Sequence, residues 1–219
     1  LLEGDILIFL RKNSFLLFSI FMTLSLYMIF IYAPKEKIMG DVQRIFYFHM
    51  GYVLVFTIAF TMNLIYSIKY LRSNNPSESN MAYINAEIGT LFTLLTLVSG
   101  SIWAKPVWGT WWTSDPQLTT TLILFILYFT YLVFHKLAEK SGVPRYSSIF
   151  AIIAFIDLPI VYISVRVMRG ISPVVFGGEG GGIAPEMMDT LIVTLIVTFI
   201  AFLFLYFYLL DMRIKLDKI

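Results

Sequence analysis

The sequence predicts an all-α, polytopic membrane protein with six transmembrane helices and both termini in the cytoplasm. Three observations predict it. The 219 residues are 58% hydrophobic and 17% aromatic, with only 14% charged and a mean hydropathy of +0.81. A soluble domain of this size is ordinarily about half apolar and about a quarter charged. Six apolar runs reach the ~20 residues that a helix needs to cross a bilayer. The lysines and arginines are distributed unevenly between alternate loops.

The six runs cover residues 14–33, 43–70, 83–103, 118–137, 147–167 and 189–210. YAPKEKIMGD follows the first, and SNNPSESN makes a polar turn after the second. The first run is longer than a signal-peptide core and lacks a small-residue cleavage site, so it reads as a retained helix. KSGVPRY parts the fourth run from the fifth, and GISPVVFGGEGGGIAPEM parts the fifth from the sixth. No internal repeat appears. Residues 1–219 therefore read as one six-helix transmembrane domain with two long loops, tryptophan-rich 103–118 and Gly-rich 168–188.

Of the sixteen Lys and Arg residues, ten lie at the N-terminus, the second and fourth loops and the C-terminus. The other six, Lys35, Lys37, Arg44, Lys105, Arg166 and Arg169, lie in the first, third and fifth loops. Basic residues favour the cytoplasmic side. This places the tryptophan-rich loop, the start of the second helix and the Gly-rich loop together on the outer face of the cell membrane.

The net charge of +2 suggests no nucleic-acid partner. With no cysteine in the chain, disulfides, thiolate metal sites and thioether-linked cofactors are excluded for this chain acting alone. FGGEGGGIAP lacks the GK[ST] ending of a phosphate-binding loop and reads as a linker.

Chemistry concentrates in WGTWWTSDPQLTT, residues 108–120, which holds three of the four tryptophans. Trp108, Trp111, Trp112 and Asp115 are spaced i, i+3, i+4, i+7, so a helical loop would put them on one face. Such an indole platform suits a planar aromatic ligand; the plainer alternative is an aromatic anchor at the membrane boundary. Asp115 before Pro116 also reads as a helix N-cap with proline at the first helical position. Pro106 and Gly109 argue against one straight helix through the segment. Arg44, Lys105, Arg166 and Arg169 could neutralise ligand carboxylates or meet lipid headgroups.

There are two histidines. His135, beside Lys136 near a helix C-terminus, reads as an interfacial polar residue. His49 is an ionisable group among Phe46, Tyr47, Phe48 and Tyr52, a setting that points to function or to a tolerated polar residue in equal measure. The expected positions of the two are a bilayer apart, about 30 Å, so they cannot share a metal. Asp157, two residues before Pro159 in the fifth run, reads as a carboxylate that is protonated or hydrogen-bonded across helices, with a proton or ion pathway as the lesser alternative.

LVSGSIWAKPVWGTWWTSDPQLTTTLILFILY, residues 97–128, resembles the tryptophan-rich signature of the haem-handling proteins of cytochrome c biogenesis. Within that superfamily it is most similar to the CcmC family, with its six helices and outer WGxWWxWDxRLT motif. QRIFYFHM, residues 43–50, resembles the segment carrying that family's first axial histidine, and DLPIVYISV, residues 157–165, its fifth helix. The similarity runs from about residue 41 to 173.

The resemblance implies a non-enzymatic protein that holds haem b non-covalently at the outer face and presents it to a haem chaperone. It leaves open whether the chain assists covalent attachment of haem to that chaperone. Trp103, Trp108, Trp111 and Trp112 would pack around the macrocycle, with Arg44 and Lys105 nearby. His49 would ligate the iron, and Asp115 would shape the site or the docking surface for the chaperone. The implied partners are that chaperone, a small single-helix subunit, the subunits of an ATP-driven ABC transporter, and membrane lipid.

The chain departs from the family pattern at Ser114 and Gln117, where the family has tryptophan and arginine. It also has Ser172 where the second axial histidine belongs, and Val167 and Met168 where two aromatics belong. Met168, Met187 and Met188 offer thioether alternatives to that ligand. Two other readings compete. A b-type cytochrome for electron transfer would normally pair histidines within one helix bundle. An ion or solute transporter has only Asp157 and Glu87 in its support and leaves the indoles unexplained.

Two outcomes follow. A reporter fused after Ile219 is expected to behave as cytoplasmic and one inserted within 177–182 as external; the reverse result inverts the assignment. Serine is a poor iron ligand and imidazole a good one. Ferric haem bound to the chain is thus expected to be high-spin, turning low-spin with added imidazole or on Ser172→His. A low-spin spectrum in the unmodified chain that is lost when one of the three methionines is replaced would show ligation by methionine instead.

Overall fold

A computed structural model describes residues 13–35, 40–167 and 185–217. Its regular elements are helices. They are α1 (Ser14–Tyr27), α2 (Arg44–Ser73), α3 (Pro76–Trp108), α4 (Pro116–Lys140), α5 (Arg145–Phe155), α6 (Asp157–Val167) and α7 (Pro185–Leu216). A π-helical turn, Met28–Tyr32, extends α1, and a 3₁₀ turn, Asp41–Gln43, leads into α2. Six helical segments are long and apolar enough to cross a membrane: Ser14–Tyr32, Asp41–Ser73, Pro76–Trp108, Pro116–Lys140, Arg145–Ser164 and Asp189–Leu216. This is the number expected from the sequence.

The helices outrun the apolar stretches at several ends because polar residues cap them. Asn75 accepts a hydrogen bond from the Ser77 N–H at 3.1 Å, and Pro76 occupies the first helical position of α3. Within the apolar runs, hydroxyls turn back on their own helix. Thr90, Thr93 and Thr96 donate to Ala86, Gly89 and Phe92 carbonyls at 2.7–2.8 Å, and Thr194 and Thr198 to Thr190 and Thr194. Such bonds let polar side chains sit where water cannot reach them.

One expected helix is two. The expected span over 147–167 is met by one apolar segment, Arg145–Ser164, but its helix is broken: α5 ends at Phe155 and α6 starts at Asp157. Pro159 has no N–H to give and its ring crowds the carbonyl four residues back, at Phe155. Asp157 in the first turn of α6 is buried, and its Oδ2 has no hydrogen-bond partner.

The chain divides into two compact units: Leu1–Val55 with Ile183–Ile219, and Phe56–Gly182. In the first, α1 lies along α7. Ser25 and Thr198, both fully buried, join their hydroxyls at 2.7 Å. Phe21 stacks on Phe204 with ring centroids 5.7 Å apart. Ile29, Ala33, Tyr47, Leu191 and Leu195 form the core, and Gly51 lets the backbone of α2 approach the ring of Phe202.

In the second unit, Phe60 of α2 stacks on Tyr128 of α4 at 3.5 Å between centroids. Asn63 donates to the Ala82 carbonyl of α3 at 2.9 Å, and Arg145 donates to Asn74 Oδ1 at 2.7 Å. A Cβ at Gly89 would overlap the Phe60 ring. That ring is backed by Tyr128 and cannot retreat. Gly89→Ala is therefore expected to destabilise the fold by about 1–3 kcal/mol, as overpacked cores do. Thermal unfolding in detergent checks this, and Phe60→Leu in the same chain is expected to restore part of the loss.

Candidate functional site

The tryptophan segment is a helix end, a short irregular connector and a helix start. Helix α3 runs through Pro106 to Trp108, and Gly109 ends it in the left-handed conformation, φ 76°, with its N–H on the Lys105 carbonyl at 3.0 Å. Residues 109–115 are not helical, and α4 begins at Pro116. The shared helical face expected for Trp108, Trp111, Trp112 and Asp115 is therefore not formed. Gly109 stops the helix, and Asp115, which precedes proline, is held extended at ψ 139°.

Within the loop expected over 103–118, Trp103 and Trp108 belong to α3. They meet edge to face, 5.2 Å between centroids at 87°. Trp111 and Trp112 belong to the connector and are 56% and 38% exposed. Both rank among the exposed large apolar side chains of the described residues.

Side chains brace this connector. Lys105 Nζ donates to the Gly109 carbonyl at 3.0 Å and lies 6.0 Å from the centre of the Trp111 ring. The Thr110 hydroxyl donates to the Trp112 carbonyl at 3.0 Å. Asp115 accepts from the Gln117 N–H at 2.9 Å and is 5% exposed. The N-cap expected from Asp-Pro is present.

His49 and Arg44 of the expected site lie in the first unit. His49 is half-buried in the second turn of α2. Of its aromatic neighbours, Tyr47 packs into the core of that unit and Tyr52 sets its ring edge-on to Phe202 at 5.3 Å. Arg44 Nη2 is 3.1 Å from Asp41 Oδ1, and its guanidinium lies 5.2 Å from the centre of the Phe30 ring. Lys35 holds the other oxygen of Asp41 at 2.7 Å. Sequence reasoning missed Asp41 and Thr110. The signal for Asp41 is its i, i+3 spacing to Arg44 at a helix start; Thr110, a single threonine between Gly109 and Trp111, gives none.

Ser172, Met168 and Arg169 lie outside the described residues, as do the side chains of Arg166, Met187 and Met188. All six fall in or beside the expected Gly-rich loop, 168–188, most of which is likewise outside them. His135, expected as an interfacial polar residue, is 2% exposed and bonded within the protein.

The family described as "CcmC: Heme exporter protein C" matches residues 8–218, and the chain belongs to it. It is 32% identical over 199 residues to the Heme exporter protein C of Haemophilus influenzae, covering 85% of this chain and 75% of that protein. It is 34% identical over 143 residues to a putative cytochrome c biosynthesis ccmC-like mitochondrial protein of Marchantia polymorpha, covering 65% of this chain and 60% of that one. To the Heme exporter protein C of Escherichia coli (strain K12) it is 33% identical over 146 residues, 63% of this chain and 56% of that protein. The match thus spans 60% of the Marchantia protein and 56% of the Escherichia one.

Proposed function

We propose that this member of the Heme exporter protein C family handles haem in cytochrome c biogenesis, holding haem b non-covalently at the outer face of the cell membrane and presenting it to a haem chaperone. One observation carries the reading: Trp111 and Trp112 stand exposed on a connector that Lys105, Thr110 and Asp115 keep in shape. A chain gains nothing in its own core from two large apolar rings held outward. A planar aromatic ligand would cover them.

The residues fit haem by their chemistry. Neutral imidazole is a good ligand for haem iron, and His49 supplies one. Indole faces suit a macrocycle, with Trp103 and Trp108 backing the start of the connector. Among the described residues, no three His, Asp or Glu side chains cluster to hold a bare metal ion. The carboxylates of haem would call on Arg44 and Lys105, which are already engaged by Asp41 and Gly109. Ser172 is the residue at the position of the family's second axial ligand, with Met168, Met187 or Met188 as substitutes.

The partners in this reading are the chaperone, a small single-helix subunit and ABC transporter subunits. A b-type cytochrome is less well supported, because His135 is held by Ser147 and Glu139 rather than offered as a ligand. A transporter would leave the exposed indoles without a purpose.

Covering the exposed parts of two indoles removes roughly 200 Å² from solvent, worth roughly 5 kcal/mol at ~25 cal/mol per Å². Replacing Trp111 and Trp112 together with alanine is therefore expected to lower haem co-purification sharply, by up to about four thousandfold in Kd, while the protein still inserts. Unchanged haem content would leave the indoles as membrane anchors and sink the proposal.

A further inference from the structure

A polar cluster toward the C-terminal end of α4, away from the tryptophan connector, plays no part in the haem reading. His135 is 2% exposed, and its Nδ1 is 3.0 Å from Ser147 Oγ on α5. Ser147 donates its only hydroxyl hydrogen to the Pro144 carbonyl at 2.7 Å. Toward the imidazole, Ser147 can only accept. Nδ1 therefore carries a hydrogen.

That assignment decides the other side of the ring. In a neutral imidazole with Nδ1–H, Nε2 is a bare acceptor. It faces Glu139 Oε1 at 3.4 Å, and an ionised carboxylate is acceptor-only as well. Two opposed lone pairs beside a buried ring repel one another. A single proton between them turns the repulsion into a charge-assisted pair.

Aromatic rings and charged side chains surround the site. Tyr83 of α3 stacks on the His135 ring at 4.9 Å, and Tyr131 of α4 tilts against it at 5.6 Å. Lys136 Nζ lies 5.4 Å from the centre of the Tyr83 ring, and Glu87 of α3 acts electrostatically on His135. With the proton held, His135, Lys136, Glu87 and Glu139 together are neutral. Without it, they carry one uncompensated negative charge beside a buried ring.

We propose that His135 and Glu139 form a proton-binding site, with one proton held between Nε2 and Oε1 and with Ser147 fastening the loaded ring to α5. The site lies twenty residues along the chain from Asp115, about 30 Å at 1.5 Å per residue. One helix thus starts at the tryptophan connector and carries the proton site near its other end. The proton is bound at lower pH and lost as pH rises, and the Nδ1–H bond to Ser147 then persists without its charge assistance.

Nitrogen-15 NMR of the histidine-labelled full chain in detergent tests this. The variant His49→Ala leaves His135 as the sole histidine. Near neutral pH, Nδ1 is expected to be protonated and Nε2 to carry or share a proton, which it loses in one step as pH is raised. Glu139→Gln, whose amide can donate to Nε2, is expected to abolish that step, and Glu139→Asp to retain it at a shifted pH. A bare, unprotonated Nε2 throughout the neutral range overturns the proposal. So does a titration that is the same in Glu139→Gln. Glu139 is half-exposed, so its replacement leaves the core intact; should Glu139→Gln fail to fold, the titration of the unmodified pair decides alone.

Discussion

The backbone in an apolar medium must satisfy its own N–H and C=O groups, and the helix is the local way to do it. Most of the described chain obeys by staying helical. The stretch from Gly109 to Asp115 does not, and its polar groups have to be met otherwise. Lys105 takes the Gly109 carbonyl, Thr110 takes the Trp112 carbonyl, and Asp115 takes the Gln117 N–H. These side chains meet part of the backbone at the connector and at the start of α4. The orientation of Trp111 and Trp112 depends on that exchange. Remove the braces, and an irregular connector has no reason to hold two indoles outward.

The same accounting separates residues that bind from residues that position. Lys105 and Arg44 are cations at places where the sequence suggests an anionic ligand. Each already has a partner: Lys105 a carbonyl and an indole face, Arg44 the Asp41 carboxylate and the Phe30 ring. The Asp41 link is an exposed ion pair of the weak surface kind, because water solvates both charges nearly as well. A ligand carboxylate can compete for such a cation at small cost.

The number of helices and their apolar cores were legible in the sequence, because a run of about twenty apolar residues carries its meaning locally. Asp115–Pro116 was legible for the same reason, since a cap is written in two adjacent residues. The helical face for Trp108, Trp111, Trp112 and Asp115 was not a sound reading. Periodicity gives a helix only if the backbone permits one, and Gly109 in the left-handed conformation does not. The break at Ile156 was signalled by Pro159 but masked by the unbroken hydropathy around it. His135 misled for a different reason. A histidine beside a lysine looks solvated in one dimension, and only the packing of Ser147 and Tyr83 from other helices shows it buried.

Asp115 shows how one motif residue can be read two ways and how geometry weighs them. An aspartate beside exposed tryptophans invites a role at a surface, meeting a partner protein. Its side chain is only 5% exposed, and Oδ1 is committed to the first turn of α4. A docking group has to show its charge to the partner. A capping group has to hide it against backbone N–H groups, where the positive end of the helix dipole stabilises it. Burial and the bond from the Gln117 N–H make Asp115 a cap that shapes the connector. Lys105 does the corresponding work at the other end, where α3 stops and its C-terminal carbonyls attract a cation. A carboxylate at a helix start and an ammonium at a helix end thus fix both limits of the connector, leaving the two indoles between them as its outward-facing apolar surface.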